Sequence, residues 1–170
     1  MIQASQHIVV RQAQCDDVDT IVTFNAAMAQ ETEQRNLDVV RLREGVRTLI
    51  ASPGHGFYIV AEHRHANGTQ VVGQLMITYE WSDWRNGVFW WVQSVYIPPE
   101  WRRRGVFRAL HHHIQKQAKV DPTVCGIRLY VERDNHQAQT VYQRVGLTPS
   151  GYTVFEQDFV PIGRVEPETY

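Results

Sequence analysis

The chain has 170 residues, 43% of them apolar and 21% charged, enough for one domain with a real core. That composition excludes a disordered chain, a collagen-like chain and a small disulfide-stapled scaffold. Seventeen Lys and Arg against 18 Asp and Glu leave a net charge of −1, which argues against a polyelectrolyte partner such as nucleic acid.

No apolar run approaches the roughly 20 residues of a membrane span, and residues 1–6 carry no signal-peptide pattern. Cys15 and Cys125 make no framework and read as a reduced pair, so a cytoplasmic location is expected. With no repeat and no long linker, residues 1–170 are expected to form a single domain.

Residues 7–11 are short and β-branched and read as a strand. Asp16 or Asp17 then caps a helix whose apolar residues Val18, Ile21, Val22 and Met28 recur at helical spacing. Asp38 caps a second helix with Leu42, Val46, Leu49 and Ile50 on one face. Strands follow over residues 57–61 and 71–79, with Asn67-Gly68 as a hairpin signal between them. After a second such signal, Asn86-Gly87, residues 88–97 form the strongest strand of the chain, rich in aromatic and β-branched residues.

Pro98-Pro99 stops that strand. A helix carrying Val106, Leu110, Ile114 and Ala118 comes next, then a half-buried strand over residues 126–131. Asn135 caps a helix with Ala138, Val141, Tyr142 and Val145, and Gly146 suits a left-handed C-terminal cap. Alternation over residues 152–159 predicts a last strand. The order β-α-α-β-β-β-α-β-α-β points to an α/β (α+β) fold, a mixed sheet with helices on both faces.

The most informative stretch is residues 95–110. A strand ends, an arginine-rich turn with a glycine follows, and a helix begins. A helix N-terminus offers unpaired N–H groups and partial positive charge, and glycine lets a ligand approach the backbone. Arg102, Arg103, Arg104 and Arg108 add charge at the same point. Chemically this is an anion site, suited to phosphate or pyrophosphate.

Arg102-Arg103-Arg104-Gly105-Val106-Phe107, after the strand ending Val95-Tyr96-Ile97, resembles the Gln/Arg-x-x-Gly-x-Gly/Ala signature of the GNAT N-acetyltransferases. A second run, Asn135-x-x-Ala138-x-x-x-Tyr142-x-x-x-Gly146, is similar to that family's later signature. Phe107 departs from the pattern, standing where Gly or Ala is usual. The resemblance implies a mostly antiparallel sheet of six to seven strands, with the fourth and fifth splayed apart.

It also implies acetyl-CoA as acetyl donor, bound by residues of about 93–147. Backbone amides of residues 102–107 would hold the pyrophosphate, with Arg108 nearby. Val95, Tyr96 and Ile97 would line the pantetheine arm, Val95 and Ile97 through their backbone. Asn135 and Ala138 would flank the same arm, and Tyr142 would protonate the leaving thiolate. An amine would attack the thioester through a tetrahedral intermediate, whose oxyanion needs a donor near Val95.

The acceptor side is expected over about residues 16–52 and 79–91. Glu31, Glu33, Trp81, Trp84 and Trp91 interleave carboxylates with tryptophans, a pattern suited to a small cationic amine. Glu80 and Glu33 are the leading candidates for the base, beside Glu31, Asp83 and Glu132. His111-His112-His113 point in different directions on one helix and make no metal site. A peptide or protein acetyltransferase and a non-catalytic acetyl-CoA sensor are the alternatives to a small-molecule enzyme. No nucleic-acid or membrane partner is expected, and a homodimer stays open.

Overall fold

In the computed structural model, which describes residues 8–66, 68–157 and 159, alternating β-branched and aromatic residues form one sheet. Its strands are β1 (Ile8–Gln12), β2 (Gly56–His65), β3 (Gly68–Ser82), β4 (Gly87–Tyr96) and β5 (Val124–Arg128), in that spatial order. β1 to β4 pair antiparallel in sequence, and β5 joins β4 in parallel. Helices α1 (Val18–Glu33) and α2 (Val39–Ala51) lie between β1 and β2 in the chain, α3 (Val106–Val120) between β4 and β5, and α4 (His136–Arg144) after β5.

The sheet buries both faces. On one, Ile59, Ala61, Val72, Leu75, Ile77, Trp90 and Val92 pack with Leu110 and Ile114 of α3. On the other, Tyr58 and Val60 pack with Ile21 and Val22 of α1 and Val46 of α2. The start of α3 sits tightly on β3: a Cβ at Gly73 would lie 2.8 Å from Val106. That close approach fixes where the first turn of α3 opens.

Asp38 caps α2 by accepting from the Val40 and Arg41 amides at 2.9 and 3.1 Å, and Asn135 caps α4 by accepting from Ala138 at 3.0 Å. Gly146 takes the left-handed conformation after α4, φ 92°. Asp17 stands at the start of α1 but does not cap it. Its buried carboxylate turns to Arg11 at 2.7 Å, and Arg11 also binds buried Glu62 at 2.6 Å.

Three expectations need correction. The described residues hold five strands rather than six to seven. Residues 152–157 and 159 form no strand and are exposed, because alternation supplies a face while a strand also needs a hydrogen-bonded neighbour. The fifth strand begins and ends earlier than residues 126–131. Residue 7 of the first strand and Asn67 of the hairpin signal lie outside the described residues. No helix among the described residues is long and apolar enough to cross a membrane.

Candidate functional site

The site starts from a mismatch in strand length. β4 and β5 pair from Val88↔Val124 to Trp91↔Arg128, and there β5 ends. Residues 92–96 of β4 continue without a β5 partner, so the two strands part as expected and one backbone edge of β4 faces the gap. Within this stretch Gln74 pairs with Tyr96 while Met76 pairs with Gln93, so Ser94 and Val95 together face Leu75. This is a β-bulge, and Ser94 adopts φ 49°, uncommon for a residue other than glycine.

The turn into α3 follows directly from the unpaired end of β4. Arg103 and Gly105 take left-handed conformations, φ 61° and 83°, and no side chain caps the helix. Among the described hydrogen bonds, none engages the amides of residues 103–108, so the turn presents a row of donors. Arg103, Arg104 and Arg108 are exposed around it, Arg104 lying over the Trp101 ring at 5.1 Å. This geometry fits a bound anion.

Arg102 points elsewhere. Its Nε donates to the Ile97 carbonyl at 2.9 Å and its Nη2 reaches Glu31 at 2.5 Å. The Tyr96 hydroxyl donates to the other Glu31 oxygen at 2.7 Å. Glu31 is therefore held below the ordinary glutamate range, by the Tyr96 hydroxyl first and Arg102 second. Burial, reinforced by Glu31, pushes the Tyr96 phenol up to about 12. The expected acceptor residue Glu31 thus ties the end of α1 to the turn.

Tyr142 is half-buried on α4, and burial raises its phenol above the ordinary value. The Phe107 ring meets the Tyr142 ring edge-on, centroids 5.5 Å apart, and meets His111 at 5.9 Å. The bulky residue at the usual Gly/Ala position therefore supports the tyrosine. Asn135 and Ala138 both serve the α4 cap, which uses the Asn135 Oδ1 and leaves its amide nitrogen for other partners.

The expected acceptor residues do not gather at one place. Glu80 binds Arg128 at 2.6 Å and accepts from the Trp91 indole, so both of its carboxylate oxygens are engaged. Arg128 also stacks on Phe89 at 3.6 Å. Glu33 is exposed and pairs with Arg35 at 3.1 Å. Trp81 and Trp84 are 60% and 87% exposed at the β3–β4 hairpin, where Trp81 pairs with Val88. Gln93 lies five residue steps along the strand from Val88, about 17 Å at the usual rise, so both tryptophans sit away from the gap. Only Trp91 stays near it, its ring 5.6 Å from Tyr130.

Sequence reasoning missed Asn25, Gln74 and Arg128. Asn25 and Gln74 are polar residues inside apolar stripes, at Ile21–Ala29 and Val71–Ile77, and that interruption was the available signal. Arg128 gave none, since its partner lies 48 residues away. Among the described residues no group of His, Cys, Asp or Glu is arranged to hold a metal ion.

Among curated proteins none matches this sequence at a significant level. Solved structures do. A possible acetyltransferase from Clostridium difficile 630 is 40% identical, with 91% of this chain and 99% of that one covered and a TM-score of 0.82. A predicted acetyltransferase from Clostridium acetobutylicum, solved with acetyl-CoA, shares the fold at 16% identity and TM-score 0.71, over 89% of this chain and 96% of that one. AAC(6')-Iy, solved with a CoA-based bisubstrate analogue, shares it at 15% identity and TM-score 0.67, over 89% and 98%. The profile of the acetyltransferase (GNAT) family matches residues 24–147, which contain the gap, the amide-lined turn and Tyr142. With that profile spanning most of the chain and the clostridial structure 40% identical over nearly all of it, this protein belongs to the GNAT acetyltransferase family.

Proposed function

We propose that this chain is an N-acetyltransferase that moves the acetyl group of acetyl-CoA to the primary amine of a small molecule. The observation that carries the reading is the parted β4 and β5 beside an amide-lined, arginine-rimmed helix start. Acetyl-CoA is the acetyl donor of this family and supplies an activated thioester carbonyl.

The amides of residues 103–107, with Arg103 and Arg108, fit its pyrophosphate. The free edge of β4 at Val95 and Ile97 fits an extended amide-bearing arm. The Ile97 carbonyl already accepts from Arg102 and keeps a second lone pair. An amide of the bulge at Val95 donates to the oxygen that gains charge during attack. Tyr142, neutral at pH 7, gives a proton to the departing sulfur.

Glu80 and Glu33 each lie in an arginine pair, so neither is assigned as base and the amine loses its proton to water. The same pairing removes the free carboxylates on which a preference for cationic acceptors rested. Trp91 and Tyr130, with Thr78 and Gln93 in contact at 2.5 Å, form an aromatic and amide floor for the acceptor instead.

The test is thiol release from acetyl-CoA across amines, amino acids, polyamines, aminoglycosides and short peptides. The expected result is turnover with one small-amine class, and Tyr142→Phe lowering kcat at least about tenfold. Acetyl-CoA binding without release in any arm would favour a sensor, and release with peptides alone would overturn the small-molecule reading.

A further inference from the structure

The α1 face of the sheet buries a polar chain where an apolar core would be simpler. Gln74, in the middle of β3, is 0% exposed, and Asn25, in the middle of α1, is 3% exposed. Gln74 Nε2 donates to Asn25 Oδ1 at 2.7 Å and to the Ser94 carbonyl at 3.3 Å. Asn25 Nδ2 donates to the Tyr58 hydroxyl at 3.2 Å, and that hydroxyl also lies beside Ser94. The Gln74 Oε1 accepts from no described protein group. Burying an incompletely paired amide opposes stability, and an apolar side chain of the same volume would avoid that cost.

The chain ends at one place, the bulge. Ser94 holds a left-handed backbone without being glycine, and such a conformation persists only where surrounding contacts over-determine it. The next residue is Val95, whose amide the proposed reaction uses. A bulge frees one backbone amide from the ladder and re-aims it. An oxyanion donor works only when held in place before the charge develops.

We propose that Gln74 and Asn25 are positioning residues that lock the Ser94–Val95 bulge, and through it the backbone donor facing the acetyl carbonyl. The chain keeps a polar core there for catalysis and gives up some stability to do so. The inference rests on the acetyltransferase reading for its kinetic consequence, while its structural part stands apart from that reading.

The test uses the full chain in two arms. In the first, without any amine, 15N relaxation is measured for Ser94 and Val95 in the wild type and in Gln74→Met. Both amides are expected to be rigid in the wild type, with order parameters of about 0.85, and to loosen toward about 0.6 in the variant. The melting temperature of Gln74→Met is expected to stay within about 4 °C of the wild type, because removing the unpaired Gln74 Oε1 offsets in part the Asn25 Oδ1 that loses its donor. In the second arm, with both substrates saturating, kcat is expected to fall on the order of 30-fold, less than the 100- to 1,000-fold of deleting an oxyanion donor. KM for acetyl-CoA stays within about twofold, because this donor acts mainly in the transition state.

Ser94 and Val95 loose in the wild type, or a variant equally rigid and equally fast, would overturn the proposal. A fall in kcat that only tracks a falling melting temperature would overturn it too. If no amine is turned over, the acetyltransferase reading fails and the relaxation arm still decides whether Gln74 locks the bulge. Should Gln74→Met not fold, Asn25→Leu takes its place with the same expected readings.

Discussion

Removing one oxygen from Tyr96 tests the tie between α1 and the helix-start turn. Tyr96→Phe keeps the ring against Phe24, 5.3 Å away, and deletes only the hydroxyl that donates to Glu31. A hydrogen bond to a charged group contributes about 1.5–3 kcal/mol. The Glu31 side chain is 38% exposed, so water replaces the lost donor in part and the loss falls at or just below the bottom of that range, about 1–1.5 kcal/mol. For a chain of this length that is a fall in melting temperature of about 2–6 °C.

The same bond sets a pH dependence. Tyr96 and Arg102 lower the Glu31 pKa in the folded state. A depressed carboxylate contributes stability above its unfolded pKa, about 4.3, and loses it as pH falls through the folded value. The gap between wild type and variant should therefore be constant from pH 7 to about 5 and close below about 4. Thermal unfolding followed by circular dichroism at pH 7, 5 and 3 measures it. No gap at pH 7, or one as large at pH 3 as at pH 7, would refute the reasoning.

Arg11→Leu leaves buried Asp17 without its cation and leaves Glu62 only the more distant, exposed Arg64, 3.7 Å away. Arg11 is 31% exposed, so the loss is about 2–4 kcal/mol, read by urea denaturation, and it shrinks below about pH 4 as Asp17, whose pKa Arg11 lowers in the wild type, protonates. Gly105→Ala meets no steric neighbour closer than 3.6 Å but strains φ 83°, a cost of about 1 kcal/mol. Calorimetry should show acetyl-CoA binding weakened about five- to tenfold as the turn amides re-aim. Phe107→Ala removes the edge contact on Tyr142, about 0.5–1.5 kcal/mol beyond area, and should lower kcat for thiol release about tenfold.

Much of the frame was legible because its signals are local. Asp38, Asn135 and Gly146 sit where capping physics places them, and apolar spacing located four helices and the first four strands. What was not legible was long-range. Residues 152–159 have the alternation of a strand, yet pairing is decided by a neighbour that alternation does not specify. Glu80 and Glu33 look like free acids until Arg128 and Arg35 are placed beside them. Trp81 and Trp84 are near Trp91 in sequence but at the far end of a hairpin in space. The bulge escaped because Ser94 is not glycine, so nothing in Gln93-Ser94-Val95 marks a left-handed residue. The residues around Arg102 read as an anion site and carry the family resemblance, while the Arg102 side chain's turn toward Glu31 depended on where α1 ends.

β4 has ten residues and β5 has five, and the difference bears on how the protein behaves in a concentrated solution. An unpaired strand edge templates addition of another extended chain, whether a ligand's amides or a neighbour's backbone. The ligand proposed for that edge would therefore compete with self-association for the same row of amides. An extended ligand bound there would block that addition, and the kink at Ser94 interrupts the edge as a template when it is empty. Purified chain should stay clear longest when stored with its acetyl donor.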